Sequence, residues 1–159
     1  MRIRNYEPSD AREIADLFHD AIHAIGTESY SREQVEAWAP TPPDYDHWQR
    51  RLDCKQPFVA EINQKIVGFI ELDPDGHIDC MYTHKDYQRQ GIAGQLYDHL
   101  KMIAGQQGIR RLYVEASKLA RPFFEARGFD LVKENIIERH GQQLVNYSME
   151  LNEFTFHRI

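Results

Sequence analysis

The spacing of apolar positions changes character several times along the chain, and each change marks an element. Met1 to Tyr6 reads as a first strand anchored by Ile3. From Ile14 the apolar residues Leu17, Phe18, Ala21, Ile22 and Ile25 recur at three- and four-residue steps, which is one face of a helix. Ser9-Asp10 with Glu13 supplies its cap and Gly26 its stop. Ser31-Arg32-Glu33-Gln34 opens a second helix that Pro40-Thr41-Pro42-Pro43 ends, and residues 44–52 read as a short third one. From Pro57 the period falls to two. Phe58–Ile62 and residues 66–72 form a hairpin through Asn63-Gln64-Lys65, Asp73-Pro74-Asp75-Gly76 is turn chemistry, and His77–Thr83 follows, so three consecutive antiparallel strands are expected. Ile92, Leu96, Leu100 and Ile103 restore helical spacing as far as Gly108. Leu112, Val114 and Ala116 then alternate in a strand that must return across this helix, which makes a parallel crossover. A short helix starting near Leu119 carries Ala120, Phe123 and Phe124 on one face, with Pro122 in its first turn. Residues 129–138 and 144–151 make a final hairpin around Gly141, with Val145, Tyr147, Met149 and Leu151 on one face.

Composition narrows the class. A chain of 159 residues with 42% apolar content fits one globular domain whose core needs neither disulfide nor metal. Cys54 and Cys80 make no disulfide framework and no thiolate cluster, which suits a reducing compartment. No window approaches the roughly 20 continuous apolar residues of a membrane span, and residues 1–6 lack the apolar core of a signal peptide. A cytoplasmic protein with no membrane partner is therefore expected. The net charge of -6 works against nucleic acid as a partner and is compatible with cationic substrates. Monomer and homodimer both stay open. Tyr30, Trp38 and Trp48 mark an aromatic, proline-broken segment that reads either as a lid over a site or as padding of the outer layer.

The chain is organised around Tyr87-Gln88-Arg89-Gln90-Gly91-Ile92-Ala93-Gly94, a glycine-bearing turn between a strand and a helix N-terminus. Such a turn presents unpaired backbone N–H groups and the positive end of the helix dipole, a natural seat for phosphate. Gln88-Arg89-Gln90-Gly91-Ile92-Ala93 resembles the acyl-CoA pyrophosphate motif Gln/Arg-x-x-Gly-x-Gly/Ala of the GCN5-related N-acetyltransferase (GNAT) family. Ser117-Lys118-Leu119-Ala120-Arg121-Pro122-Phe123-Phe124-Glu125-Ala126-Arg127-Gly128-Phe129 is similar to its second signature, Asn-x-x-Ala-x-x-x-Tyr-x-x-x-Gly-Phe. The order and spacing of elements fit from Met1 to Leu151. This resemblance implies an α/β protein with a single central mixed, mostly antiparallel sheet of about seven strands, a parallel crossover at the cofactor site and about four to five flanking helices. It implies one N-acetyltransferase domain over residues 1–159, acetyl-CoA as co-substrate, no metal, and transfer to a primary amine of a small molecule by direct attack in a ternary complex. A non-catalytic acyl-CoA sensor and an acyltransferase for another acyl-CoA are the alternatives.

The resemblance also distributes roles. Backbone groups of Gln88, Arg89, Gln90, Gly91, Ile92, Ala93 and Gly94 would hold the diphosphate. Met81, Tyr82 and Thr83 would pair with the pantetheine arm and polarise the thioester carbonyl, where one well-aimed N–H is worth about 3 kcal/mol of barrier. Ser117, Ala120, Phe123 and Phe124 would complete the cofactor site. Two residues depart from the pattern: Ser117 stands for asparagine, and Phe124 stands where a tyrosine commonly protonates the departing thiolate. The acid then comes from Tyr147 or Tyr82, or none is required, because a thiol of pKa about 8.5 leaves tolerably as thiolate. For the general base, His77 and Asp79 lie two apart on one strand and so face one side, with Met81 next along it. They are the first choices, with Glu71 and Glu115 on neighbouring strands as reserves and a water relay as the alternative. Tyr30, Trp38, Glu71 and Glu115 are expected around the acceptor, and the acidic residues suggest a cationic one. His19 and His23, four apart, approach the spacing of His-Glu-x-x-His, but no third ligand is signposted. Cys80 alternates away from Asp79 and reads as a packed core thiol.

Overall fold

The computed structural model describes residues 1–152. Seven strands, β1 (Arg2–Asn5), β2 (Phe58–Ile62), β3 (Lys65–Leu72), β4 (His77–Thr83), β5 (Arg111–Ser117), β6 (Asp130–Arg139) and β7 (Gln142–Asn152), form one sheet in the order β1-β2-β3-β4-β5-β7-β6. Every neighbouring pair is antiparallel except β4 and β5. Helices α1 (Ala11–Ile25), α2 (Arg32–Trp38) and α3 (Tyr45–Lys55) cover one face, and α4 (Ile92–Gln106) and α5 (Arg121–Glu125) the other. The expected mixed sheet with one parallel crossover is the observed architecture. Among the described residues no helix is long and apolar enough to cross a membrane.

Local chemistry accounts for most boundaries. Ser31 caps α2 by accepting from the Gln34 N–H, while the Gln34 side chain accepts from the Ser31 N–H. Asp44 caps α3 by accepting from the His47 N–H at 3.0 Å. Asn63 and Gln64 both take positive φ, 50° and 66°, which closes the β2–β3 hairpin tightly. The entry to α1 differs from expectation. Pro8–Asp10 is a short 3-10 turn; the Asp10 carboxylate is taken by Arg4 at 2.8 and 3.0 Å and by the Glu7 N–H, and Glu13 accepts from the Ile66 N–H instead of capping. The helix expected near Leu119 starts at Arg121.

On the α4 side, Leu96 and Leu100 are fully buried against Ile70, Ile78 and Leu112. At about 1.5–3 kcal/mol for each fully buried aliphatic side chain, this layer is a main source of stability. Gly68 permits the contact: a Cβ there would stand 2.9 Å from Leu96 Cδ1 and 3.2 Å from the Tyr82 carbonyl oxygen. Tyr97, Phe123, Phe124 and Phe129 lock α4 to α5 edge-to-face, with ring centroids 5.1–6.4 Å apart for the contacts that Phe124 makes.

Two irregularities in β4 position everything that follows. Ile70 pairs with Met81 but Leu72 pairs with Ile78, so β4 holds an extra residue at Asp79–Cys80, a bulge. Ile78 and Met81 therefore both face α4, whereas Asp79 and Cys80 turn toward α3. The strict alternation expected for His77, Asp79 and Met81 fails at this point. Second, β4 meets β5 only through His77–Tyr113 and Ile78–Val114, and beyond them the strands part.

Candidate active site

Beyond Ile78 and Val114, β4 keeps β3 on one side, while β5 keeps β7 along its whole length. The facing edges of β4 and β5 are thus left without sheet partners, and a gap opens between them. The gap leads to the N-terminus of α4. Gly91 caps this helix in the left-handed region at φ 79°, with no described residue within 4 Å of the position a Cβ would take. The first helical bond is donated by Gln95 N–H to the Gly91 carbonyl, so the N–H groups of Ile92, Ala93 and Gly94 have no acceptor in the helix. No acidic side chain stands in this first turn. Arg127, on the segment after α5, lies across it, its Nη2 2.9 Å from a Cβ placed on Gly94. Fifteen residues of aligned dipole with a bare amino end form an anion seat.

At its other end the gap opens into a cleft of about 940 Å³. One wall is aromatic: Phe18, Tyr30, Trp38, Trp48 and Tyr82 all line it, with Tyr30 to Trp38 at 5.3 Å and Phe18 to Tyr82 at 4.8 Å between ring centroids. The β6–β7 end supplies another wall, including Ile137, Arg139 and Leu144. Arg51, Asp79 and Glu115 border the cleft, with further charged groups packed behind them. Arg51 on α3 meets Glu71 at 2.6 Å, Asp79 at 3.0 Å and the Cys80 sulfur at 3.2 Å. Lys55, one turn on, meets Asp79 at 2.8 Å and Asp73 at 2.9 Å. His77 donates through Nε2 to Glu115 at 2.7 Å, its Nδ1 lies 3.3 Å from the Asp73 carboxylate, and its ring stacks on Tyr113.

Residues 27–151 match the family model described as an acetyltransferase (GNAT) domain. The chain belongs to the GNAT family. The uncharacterized N-acetyltransferase YafP of Escherichia coli (strain K12) is 35% identical over 149 residues, covering 94% of each chain. A GCN5-related N-acetyltransferase from Rhodopseudomonas palustris superposes with a TM-score of 0.89 at 35% identity, over 95% of this chain and 94% of that one. The phosphinothricin acetyltransferase of Sinorhizobium meliloti in complex with acetyl-CoA shares the fold, with a TM-score of 0.74 at 16% identity over 99% and 91% of the two chains.

In this GNAT acyltransferase the residues expected at the cofactor lie together at the gap. Met81 and Tyr82 flank it on β4, Ser117, Ala120 and Phe124 border the same cleft, and Arg89 to Gly94 form the turn. The Gln88 side chain points back and donates to the Thr83 carbonyl at 2.7 Å, which fastens the turn to β4. One of them is placed differently from expectation. Phe123 faces away from the cleft beneath the Arg127 guanidinium, 3.6 Å from its ring centroid. The Ser117 hydroxyl accepts from the Ala120 N–H and so caps the turn into α5.

The acceptor side departs further from the sequence reading. Glu71 is fully buried; burial pushes its carboxyl up while Arg51 opposes this, and no part of it reaches the cleft. It is neither a substrate-binding residue nor a reserve base. Asp79 does border the cleft, but although burial works against its charge, Lys55 and Arg51 hold it below the usual carboxylate range. A carboxylate so held is a poor proton acceptor. His77 is raised above its ordinary value by the Glu115 carboxylate and sits behind the cleft wall, not on it. Tyr147 turns to the α4–α5 side with Arg121 4.6 Å over its ring, away from the cleft lining. Glu115, the second reserve, is on the wall, its side chain 40% exposed.

Several residues escaped the sequence reading. Arg51 and Lys55 are the main ones; the signal was present as two cations four apart on α3, on the stripe that also carries the buried Leu52. Cys80 packs on the α1–α3 layer as expected of a core thiol, yet it also touches Arg51, and burial drives its pKa well up. His19 and His23 stack at 4.1 Å and spend their Nε2 atoms on Thr41 and the Ala39 carbonyl, fastening the loop after α2. Tyr30 and Trp38 both pack into a core layer and also border the cleft.

Proposed function

We propose that this acetyltransferase carries the acetyl group of acetyl-CoA to the primary amine of a small molecule by direct attack in a ternary complex. The observation that carries the reading is the gap between β4 and β5, one path from the bare α4 N-terminus to the aromatic cleft. The acetyl-CoA bound by the Sinorhizobium meliloti neighbour supports the choice of cofactor. In this reading the diphosphate sits on the N–H groups of Ile92, Ala93 and Gly94. The pantetheine pairs with the free edge of β4 along Met81 to Thr83, and the bulge at Asp79–Cys80 aims a backbone N–H at the thioester carbonyl. The amine nitrogen attacks the carbonyl carbon, the C–S bond breaks, and CoA departs with the electron pair on sulfur.

We assign the proton taken from the attacking ammonium to Glu115. Of the carboxylates considered from the sequence, it combines a place on the cleft wall with the absence, among the described residues, of a Lys or Arg partner; His77 approaches its Oε1 at 2.7 Å. The case for a cationic acceptor then rests on Glu115 and on Glu138, which also borders the cleft, and no longer on Glu71 and Asp79. The active unit is one N-acetyltransferase domain over residues 1–159, working in the cytoplasm on small molecules as monomer or homodimer. To test the reading, protein and acetyl-CoA are mixed with polyamines, aminoglycosides, aryl amines, amino acids and peptides, and free CoA thiol is followed. Amine-dependent release is expected, and Glu115→Gln should slow it by about 100-fold or more with the KM for acetyl-CoA unchanged. Release from no amine would overturn the proposed acceptor, and full activity in Glu115→Gln would overturn the assigned base.

A further inference from the structure

We infer that the Tyr30 hydroxyl donates a hydrogen bond to the CoA sulfur as the thioester breaks, which makes Tyr30 a catalytic residue of acetyl transfer. The inference rests on the acetyl-transfer reading above. Breaking the C–S bond leaves a full negative charge on sulfur, in a cleft with one wall of aromatic rings and with the carboxylates of Asp79, Glu115 and Glu138 on its lining. A donor fixed beside that sulfur lowers the barrier and the basicity of the leaving thiolate together.

Which hydroxyl can do this follows from position. Phe124 has none, and it is 1% exposed in the core between Tyr97, Phe123 and Phe129. The Tyr97 hydroxyl is buried on the α4–α5 side without a hydrogen-bond partner among the described residues, and it does not border the cleft. Tyr147 lies near enough to Tyr30 to raise its phenol, but its own ring packs on the α4-side core under Arg121 and does not border the cleft. Tyr82 borders the cleft, but its ring is wedged against Phe18 and Phe69, and its phenol oxygen is met by the Trp38 indole.

Tyr30 is differently placed. It enters from the segment before α2 and reaches onto the end of β5, where the cleft also exposes Ser117 and Ala120. The Lys118 backbone N–H and the Ser117 hydroxyl are the polar groups beside its oxygen. Among the described residues no carbonyl or carboxylate holds the phenol's proton, which can therefore be turned toward the gap. Lys118 holds the arrangement: its ammonium donates to the Ser29 carbonyl at 2.6 Å and lies 4.4 Å over the Tyr30 ring. Trp38 packs on the ring edge from α2, and Gly26 accepts from the Tyr30 N–H at 2.7 Å. The ionisable groups facing the phenol are thus Lys118 from the turn after β5 and Tyr147 from β7, the latter covered by Arg121. Burial raises the phenol above its ordinary value, so it stays a protonated donor throughout the working range.

The step balances without any further reactant. Nitrogen bonds to the acetyl carbon, the C–S electron pair moves to sulfur, Tyr30 O–H stabilises it there, and the proton lost by the amine restores the thiol through Glu115 and solvent. The test uses the full chain and CoA itself, so it needs no acceptor. The thiol of bound CoA is titrated by the ultraviolet absorbance of its thiolate, with binding followed by calorimetry. In the wild type it should titrate below the free value of about 8.5. In Tyr30→Phe, which keeps the ring contacts, it should rise by about one unit or more. With an accepted amine, kcat should fall about tenfold or more while the KM for acetyl-CoA holds. Equal titrations in wild type and variant, or a shift carried by Tyr147→Phe in place of Tyr30→Phe, would overturn the assignment. Should Tyr30→Phe fail to fold, a wild-type bound thiol titrating at or above the free value overturns it alone. Failure of the wild type to bind CoA at all overturns the acetyl-transfer reading itself, and the Tyr30 role with it.

Discussion

The two ends of the gap between β4 and β5 are built from different materials. At the α4 end the chemistry is almost wholly backbone: a left-handed Gly91, three N–H groups without helical acceptors, and no acidic side chain in the first turn. At the cleft end it is almost wholly side chain: Arg51, Lys55, Glu71, Asp73, Asp79, His77 and Glu115 meet from α3, β3, β4, β5 and the turn between β3 and β4. The first kind of site depends on one local conformation. The second depends on how separate elements pack, and a change in any one of them is felt by the rest.

The contrast is sharpest where a single atom group is added to the backbone end. Gly91→Asp puts a side chain and a negative charge where diphosphate would sit, and calorimetry should show acetyl-CoA affinity lowered by about 1000-fold or more, ~4 kcal/mol, with unfolding still cooperative. Undiminished affinity would mean that the α4 N-terminus is not the anion seat. Next in size is a change at the side-chain end. Arg51→Met leaves the buried Glu71 carboxylate without its partner, so urea unfolding should show a loss of about 3 kcal/mol, and adding Glu71→Leu should restore most of it. A loss confined to a few tenths would show the network to be ornamental.

Asp79→Asn separates structure from chemistry. It should lower stability by about 1 kcal/mol, a modest figure because solvent reaches the site. Since the folded pKa of Asp79 is depressed, this contribution is present above the unfolded value of about 3.9 and is lost as pH falls through the folded one. Turnover should stay within about threefold of the wild type; a drop near 100-fold would return the base to Asp79. The smallest effect belongs to His77→Gln, about 0.5 kcal/mol. The folded pKa of His77 is raised, so its stabilisation is complete below the unfolded value of about 6.5 and fades as pH rises through the folded one. Parallel unfolding curves for wild type and variant across that window would break the proposed pairing with Glu115.

The same division explains what was legible in the sequence. Gly91 and the Gln88–Ala93 run announce a strand-to-helix turn because the conformation is carried by consecutive residues. Alternation located β4 correctly from His77 to Thr83. What alternation could not carry was the extra residue at Asp79–Cys80, since nothing in His77-Ile78-Asp79-Cys80-Met81 breaks the two-residue rhythm. The consequence extends to Met81, which alternation puts beside Asp79 and the bulge turns toward α4. Glu71 looked available because a glutamate in a strand usually points to water, and only Arg51, twenty residues away on α3, lets it be buried. His77 and Asp79 were well chosen as neighbours, and their partners, Lys55 and Glu115, decide what they can do.

The β4 bulge also has a consequence for how this chain can vary. Substitutions along His77–Thr83 change one side chain and leave the register standing, but a change of length does not. Removing one residue between Ile78 and Met81 would erase the bulge and with it Asp79 or Cys80, one of the two neighbours that meet Arg51, while adding one would turn Met81 or Ile78 away from α4. The segment should therefore accept many exchanges of residue type and very few insertions or deletions, so its length is a more constrained property than its spelling.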